Sequence, residues 1–331
     1  MNSEIMKRKL KNLFKRSFRR LFTAGQKAGI TILPYHFYSQ IPHIGELKKE
    51  EYWKKPFSMT GVDGMDTEKQ AEFLRSVTGG SAGMPAAGAV SGLLAAGQDP
   101  SLKDIYRDAV RTNGEDGGYG LVEAEFLYCF IRKARPPKII QVGCGVSTAV
   151  ILRAAGDEGY QPEIVCVEPF PTDFLLGLCS EGKIRLIREK AQKADIAQLV
   201  DLKENDLFFV DSTHTVKAGS EVNRIILDVL PRLGPGIWVH FHDIYFPYDY
   251  GRALLTEDLF FWSESTLLHA FLVNNHAFRV WLSLSYLHYN APDQLMQALP
   301  DYIPQKNNFG LRDGEGGHFP SAIYLRTHAG K

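Results

Sequence analysis

KIIQVGCGVST, residues 138–148, is the stretch whose reading decides the fold. Ile139, Ile140 and Val142 form an apolar, β-rich run that ends in two glycines one residue apart, Gly143 and Gly145, and helical character follows from Val150. The run predicts a short core strand, the glycines let backbone approach a ligand closely, and Ser147 or Thr148 can open the helix. A turn of this kind presents free N–H groups at a helix N-terminus, which suits a nucleotide-like ligand. Over so few residues an ordinary glycine-rich link between strand and helix reads the same way, so the rest of the chain has to decide.

Downstream, strand and helix alternate. Strands are predicted at 139–142, 163–167, 184–188, 207–210 and 237–242, with helices near Val150, Thr172, Ile196 and Val222. Short apolar strands separated by helices imply a parallel sheet covered on both faces. After Thr256 the pattern becomes a helix through Phe271, a long aromatic strand over 278–287, a polar loop and a last strand at 322–325. Two late strands of this kind close a doubly wound, mostly parallel α/β sheet with an antiparallel edge strand.

Upstream, residues 5–22, IMKRKLKNLFKRSFRRLF, set Leu10, Leu13, Phe14, Phe18 and Leu21 at helical spacing among eight basic residues. This is a basic amphipathic helix. It can lie on an anionic membrane, gaining roughly 1 kcal/mol per basic residue near the surface, or pack with its basic face solvated. Because acidic residues are absent from 5–44, an organelle transit peptide is a third reading. Pro34 and Pro42 bracket an aromatic and polar segment, Tyr35, His36, Phe37, Tyr38 and His43, that reads as an extended arm or a lid over a pocket. TEKQAEFLR, opened by Thr67, predicts a short helix, and 79–97, rich in Gly and Ala, an inserted loop. A turn over 113–119 leads into a periodic helix over 121–133 with Leu127 and Ile131 inward, stopped by Pro136 and Pro137. The expected organisation is therefore a basic helix (1–28), an N-terminal extension or lid (29–112) and a catalytic domain (113–331).

The 331 residues, 44% hydrophobic with formal net charge +0, describe a globular chain with no basic field to recommend nucleic acid as partner. Cys129, Cys144, Cys166 and Cys179 lie apart without metal-ligand pairing, as expected of reduced thiols in a cytoplasmic protein. No apolar run approaches the roughly eighteen residues of a membrane span, and the N-terminus lacks the apolar core of a secretory signal. Contact with a membrane is expected only at its periphery, through residues 5–22, and association into a homo-oligomer is left open.

Ligands of open α/β sheets bind beyond the carboxyl ends of the strands. The first strand ends at Gly143–Ser147, the second at Glu168 in CVEPFP, the fourth at Asp211 in DSTH, and the fifth at His242 and Asp243 in HFHD. Glu168 follows the glycine turn by about twenty residues, the spacing at which a carboxylate accepts hydrogen bonds from a ribose diol. Four polar or glycine-rich strand ends on one apolar sheet point to a binding site. His240, two residues inside the fifth strand, reads as a core histidine.

In this order, GxGxST, an acid ending strand two, DSTH and HFHD, the chain resembles the class I S-adenosylmethionine-dependent methyltransferases. More narrowly, DSTH followed by EVNRIILDVLPRLGPGIWVHFHDIYFPYDY is similar to a bacterial branch related to small-molecule O-methyltransferases. PYHFYSQIPHIGEL and PSAIYLR extend the likeness from about Gly29 to the C-terminal region. The resemblance implies a Rossmann-like methyltransferase fold, with Gly143, Gly145 and Ser147 beside the methionine part of S-adenosylmethionine, Glu168 at its ribose, and Asp211 nearby. Gln141 stands where the first motif usually opens with an acid, and Ser147 where a third glycine is usual.

The resemblance to catechol O-methyltransferases further implies a divalent metal, Mg²⁺, Mn²⁺ or another, on Asp211, His242 and Asp243, and a base at His214. Such a cation would lower the pKa of an acceptor hydroxyl, and a neutral His214 could take its proton. A histidine ligand is softer than Mg²⁺ prefers. Tyr248, Tyr250, Phe260, Phe261 and Trp262 are candidates for pocket walls. The expected activity is methyl transfer to a hydroxyl of a small molecule or glycan. Its rivals are an NAD(P)-dependent oxidoreductase, which the missing GxGxxG opposes, and a non-catalytic scaffold that docks through the basic helix.

Overall fold

The computed structural model describes residues 18–33, 35–49, 55–79, 102–114, 118–250, 252–304 and 319–329. The chain divides into two compact units, Met1–Glu46 and Leu47–Lys331. In the first, residues 18–27 are helical. Most of the basic amphipathic stretch over 5–22 therefore lies outside the described residues, as does nearly all of the Gly/Ala-rich 79–97. The aromatic segment that follows is a locally closed turn: His36 Nδ1 accepts the Tyr38 N–H at 3.0 Å, Ser39 Oγ accepts the His36 N–H at 2.9 Å, and Tyr35 sits edge-on to His43. No described helix is long and apolar enough to cross a membrane.

The second unit is built on a seven-stranded sheet. In sequence its strands are β1 (Lys138–Val142), β2 (Glu163–Val167), β3 (Arg185–Ile187), β4 (Leu207–Val210), β5 (Trp238–Phe241), β6 (Phe278–Ser283) and β7 (Ile323–Thr327). In space the order is β3-β2-β1-β4-β5-β7-β6. β1 pairs in parallel with both β2 and β4, so the strand order reverses beside it, which is where an open α/β sheet leaves a crevice. Strands β1 to β5 are mutually parallel, while β7 runs antiparallel to both β5 and β6. The reversed strand thus lies one place inside the sheet, and β6 takes the edge.

Helices α1 (Thr67–Thr78), α2 (Leu102–Thr112), α3 (Leu121–Ala134), α4 (Val146–Asp157), α5 (Asp173–Ser180), α6 (Ile196–Leu199), α7 (Glu221–Arg224), α8 (Arg252–Thr256), α9 (Glu264–Leu272), α10 (Leu284–Asn290) and α11 (Pro292–Ala298) surround the sheet. The strands bury both faces because alternate residues point to opposite sides. Ile139, Cys166, Leu207 and Phe209 pack with Leu127 and Ile131 of α3 and Val150 and Ile151 of α4. Ile140, Val142, Val165, Val167, Phe208 and Val210 pack with Val222 of α7, Ile225, Ile226, and Leu268 and Leu272 of α9. Each such fully buried aliphatic side chain stabilises by about 1.5–3 kcal/mol.

Several boundaries differ from those the sequence predicts, most by one or two residues, and three of the differences are decided by caps. Helix α1 is capped by Asp66, whose carboxylate accepts the N–H groups of Glu68 and Lys69, so Thr67 is already inside it. Helix α4 begins at Val146, earlier than expected, because Gly145 ends the turn and Thr148 Oγ1 reaches back to the Gly145 N–H. The aromatic run over 278–287 is strand only to Ser283, whose side chain caps α10 by accepting the Tyr286 N–H. An apolar run does not distinguish a buried strand from a buried helix, and here a serine cap decides.

Candidate active site

Gly143 has φ +80°, and a Cβ there would overlap the Asp211 carbonyl. Glycine is required on both counts. The Gly143 N–H donates to Val167 O at 3.2 Å and the Asp211 N–H to Val142 O at 2.9 Å, so the ends of β1, β2 and β4 are tied together at this turn. Gln141 is fully buried beneath it. Its Nε2 donates to Ser147 Oγ at 2.6 Å and its Oε1 accepts from Thr148 Oγ1 at 2.9 Å. The amide in place of the usual acid is therefore a brace, and the Ser147 hydroxyl points into the turn's own support. Over the turn lies Asn113, whose Oδ1 accepts from Thr172 Oγ1 at 3.1 Å and whose amide a Cβ on Gly145 would meet at 2.6 Å. Glu168 is half-buried at the end of β2, with Oε1 accepting the Phe170 N–H at 2.9 Å.

Beside the turn, the ends of β4 and β5 hold a cluster of charge. Asp211 Oδ1 is 3.2 Å from His242 Nδ1 and 3.5 Å from His214 Nε2. Asp243 Oδ2 is 3.6 Å from each of the same two nitrogens. The far nitrogen of each ring faces a buried glutamate: His214 Nδ1 lies 2.8 Å from Glu264 Oε2, and His242 Nε2 lies 3.2 Å from Glu123 Oε1. Four carboxylates therefore surround two imidazoles. His214 and Asp243 both have left-handed backbones, at φ +55° and +54°, which turn the two loops back toward each other.

The supports come from elsewhere in the chain. The His214 carbonyl accepts the N–H groups of Ser263 and Glu264 at the start of α9, which brings the Glu264 carboxylate to the His214 ring. Glu123, in the first turn of α3, is fixed by the Ser321 N–H at 2.7 Å and the Ser321 hydroxyl at 2.6 Å. Gly120 leaves room for it, since a Cβ there would strike the Glu123 carboxylate. The same Ser321 hydroxyl lies 2.9 Å from Asp243 Oδ1. Thr213 N–H and Oγ1 are both held by Glu221 Oε1, which steadies the DSTH loop against α7.

Burial opposes charge throughout this cluster, and pairing decides the outcome. For Asp211, burial pushes the pKa up, but His242 and His214 hold it well below the carboxylate range. Burial opposes charging of His214, yet hydrogen bonds to Asp211 and Glu264 outweigh it and raise the ring to about 10. His242 is likewise raised against its burial, by Asp243, Asp211 and Glu123. Glu123 is lowered in spite of burial by His242 and Ser321, whereas burial prevails at Glu264 and raises it. His240 is fully buried, stacked on Phe209 and pushed down to about 3 by burial and by the nearby charge of His242. It is a neutral core residue.

A cavity of about 270 Å³ opens on His242 and Asp243, with Tyr106, Tyr119, Phe319 and Ser321 among its walls. Of the aromatic residues expected to wall a pocket, Trp262 lies over His214 at 4.7 Å between ring centroids and stacks with Phe260, while Tyr250 is buried core. Each residue expected at the site from strand ends lies at this face of the sheet. Asp211, His214 and His242 form one convergent group that can hold a metal ion, and Asp243 flanks it. Glu123, Glu264, Ser321 and Asn113 were not foreseen. Glu264 and Asn113 stand outside the quoted motifs, Ser321 lies within PSAIYLR, which gave no hint of a role at the site, and Glu123 is marked as an acid on the inward side of an apolar helix.

Residues 140–244 match a family model described as "Methyltransferase domain". This stretch is a methyltransferase domain. An uncharacterized protein of Archaeoglobus fulgidus is similar to the chain at 27% identity over 191 residues, covering 54% of this chain and 77% of the relative. Among solved structures, the S-adenosylhomocysteine-bound methyltransferase PaMTH1 of Podospora anserina aligns with TM-score 0.41 and 18% identity, over 76% of this chain and 100% of that one. The O-methyltransferase TomG of Streptomyces achromogenes, in complex with S-adenosylmethionine, aligns with TM-score 0.43 and 14% identity, over 72% and 95%. These structural likenesses are too distant to carry an argument about function. The methyltransferase domain runs from β1 through β5 and so contains the glycine turn, Glu168, Asp211, His214 and His242, while Glu123 and Glu264 reach it from outside.

Proposed function

We propose that the protein transfers the methyl group of S-adenosylmethionine to a hydroxyl of a small molecule or glycan. The observation that carries this reading is the shared wall between Gly143 and the Asp211 backbone, which sets a donor cradle directly against a cluster able to manage a proton. The match to a methyltransferase domain supports it over a dinucleotide-dependent oxidation.

In this reading the turn at Gly143 and Gly145 receives the methionine part of the donor, and Glu168 accepts its ribose hydroxyls. The Phe170 N–H keeps that carboxylate oriented. The acceptor enters the cavity lined by Tyr106, Tyr119 and Phe319, whose volume suits a single ring such as a sugar or a phenol. Its hydroxyl oxygen forms the new bond to the methyl carbon as the carbon–sulfur bond breaks and leaves its electron pair on sulfur. The hydroxyl proton must depart in the same event, and holding oxygen, methyl and sulfur in line is the main requirement. Pairing with Asp211 and Glu264 favours the charged form of His214, and the ring can take that proton only in its neutral form. Asp211 and His242, with His214 or Asp243 as a third donor, would hold a divalent cation, and the donor set fits one. Such an ion would supply a lower pKa for the acceptor hydroxyl.

Calorimetry with S-adenosylhomocysteine and with NAD tests the cofactor. Binding of the former alone is expected, and tight NAD binding with no response to S-adenosylhomocysteine would overturn the reading. For the chemistry, Asp211→Asn should lower methyl transfer by about 10²-fold or more, with S-adenosylhomocysteine affinity little changed. Methylated acceptors are found by mass spectrometry of cell extracts with and without the protein, as pairs differing by one methyl.

A further inference from the structure

We infer that the cluster is a two-histidine, one-carboxylate site, formed by His214 Nε2, His242 Nδ1 and Asp211 Oδ1, that takes a first-row transition-metal dication such as Zn²⁺, Co²⁺ or Fe²⁺ in preference to Mg²⁺. The inference deepens the methyl-transfer reading and rests on it for the role of the metal, though not for its binding.

The first ground is convergence. His242 Nδ1 and His214 Nε2 approach the same Asp211 oxygen, at 3.2 and 3.5 Å. Metal–nitrogen and metal–oxygen bonds of about 2.0–2.2 Å place neighbouring donors roughly 3.0–3.5 Å apart, the spacing each nitrogen keeps from Asp211 Oδ1, and one donor atom from each of the three residues lies within 4.8 Å of the others. The D-x-x-H spacing of Asp211 and His214 delivers two of them from one loop, aided by the left-handed backbone at His214.

The second ground is what stands behind the rings. An imidazole that binds a metal through one nitrogen commonly gives the other N–H to a carboxylate, which fixes tautomer and orientation. His214 is arranged this way, and His242 has a carboxylate at the corresponding nitrogen. Glu264, with no solvent exposure, is hydrogen-bonded to His214 Nδ1 at 2.8 Å. Glu123, anchored by two hydrogen bonds from Ser321, faces His242 Nε2 at 3.2 Å, but out of line, so that this buried nitrogen has no aligned partner and the ring retains freedom to settle on an ion. Two buried glutamates placed independently, one from α3 and one from α9, are hard to explain as packing. Each stands where a ligand's outer partner belongs.

The third ground is donor chemistry. Two imidazoles and a carboxylate suit Zn²⁺, Co²⁺ and Fe²⁺, whereas Mg²⁺ favours an all-oxygen octahedron and gives up water reluctantly. Asp243 Oδ2, 3.6 Å from both ring nitrogens, can complete the set from the cavity side. His214 is then a ligand, not the base, and the acceptor proton has to leave by another route.

The test uses the full-length protein, stripped with a chelator and titrated with Co²⁺, Zn²⁺ and Mg²⁺. Expected are one equivalent of Co²⁺ with visible d–d absorption, displacement of Co²⁺ by Zn²⁺, and Mg²⁺ binding at least tenfold weaker. Co²⁺ should also quench the fluorescence of Trp262, which lies 4.7 Å from His214, and Trp262→Phe should remove that part of the quenching. His214→Asn should abolish Co²⁺ binding, and Glu264→Gln should weaken it by about 10–100-fold. Mg²⁺ binding as tightly as Co²⁺ in the unaltered chain would overturn the inference, as would Co²⁺ affinity that survives His214→Asn but fails in Asp243→Asn. S-adenosylhomocysteine calorimetry on the same samples separates the two readings. Co²⁺ bound without S-adenosylhomocysteine overturns methyl transfer and keeps the site, and the reverse result keeps methyl transfer and removes the site.

Discussion

The glycine turn and the histidine–carboxylate cluster share a wall but are built on opposite principles. The turn is neutral and made within one short stretch. Its polar side chains pair with one another, Gln141 with Ser147 and Thr148, and Thr148 again with the Gly145 N–H. The cluster is charged and assembled from the start of α3, the loops after β4 and β5, the start of α9 and Ser321, two residues before β7. Its four carboxylates outnumber its two imidazoles. A self-contained backbone turn is suited to hold a ligand of fixed shape, and an overdrawn anionic cluster is suited to a cation and a proton.

If the two regions depend on their common wall, the largest effect should come from that wall. Gly143→Ala places a methyl group on the Asp211 carbonyl and forces a left-handed backbone on alanine. We expect a loss of at least about 3 kcal/mol, the range of severe backbone and packing damage, together with loss of both S-adenosylhomocysteine and metal binding. A thermal melt with calorimetry checks it. A variant that melts normally and loses only one ligand would show the two regions to be separable.

Much of this architecture was legible in the chain. Strands β2 and β4 fall where the sequence predicts, because a parallel strand buried on both faces is a short unbroken apolar run, and Gly143, Glu168, Asp211, His242 and Asp243 stand at strand ends that the alternating pattern locates. What could not be read is the set of partners brought by the tertiary fold. Glu264 sits in a polar stretch with no motif, and it reaches His214 only because the His214 carbonyl caps α9. Ser321 reaches Glu123 across 198 positions. The antiparallel place of β7 was likewise hidden, since an apolar strand carries no mark of its neighbour.

The second effect, smaller than the first, asks what keeps the cluster's carboxylates charged. Glu125 lies two residues along α3 from Glu123 and is also buried, but the charge that acts on it is that of Asp301. Burial, reinforced by Asp301, pushes its carboxyl up to about 8, while the paired Glu123 is held down. A carboxyl raised from 4.5 to about 8 on folding contributes stability that is full below pH 4.5 and is lost as pH rises to about 8. The loss is on the order of 2–4 kcal/mol. Glu125→Gln should abolish this decline, so that variant and parent differ most above pH 8 in denaturant titrations at several pH values. An equal decline in both proteins would show that burial alone does not separate these two glutamates.

The smallest effect isolates the turn. Gln141→Met keeps the volume beneath the glycines but removes both hydrogen bonds, leaving the buried Ser147 hydroxyl without the amide that donates to it and the Thr148 hydroxyl without its acceptor. Orphaned buried groups of this kind cost about 1–3 kcal/mol. The fold should survive, because the strand pairing of β1 does not pass through this side chain. Affinity for S-adenosylhomocysteine should fall as the helix start loosens, while Co²⁺ affinity stays as in the parent, since the Gln141 amide bonds to Ser147 and Thr148 in the turn. Calorimetry with both ligands on one sample decides it. An equal fall for both would mean that the brace under the turn also sets the position of Asp211, and that the neutral and charged halves of the site are one mechanical unit rather than two regions sharing a wall.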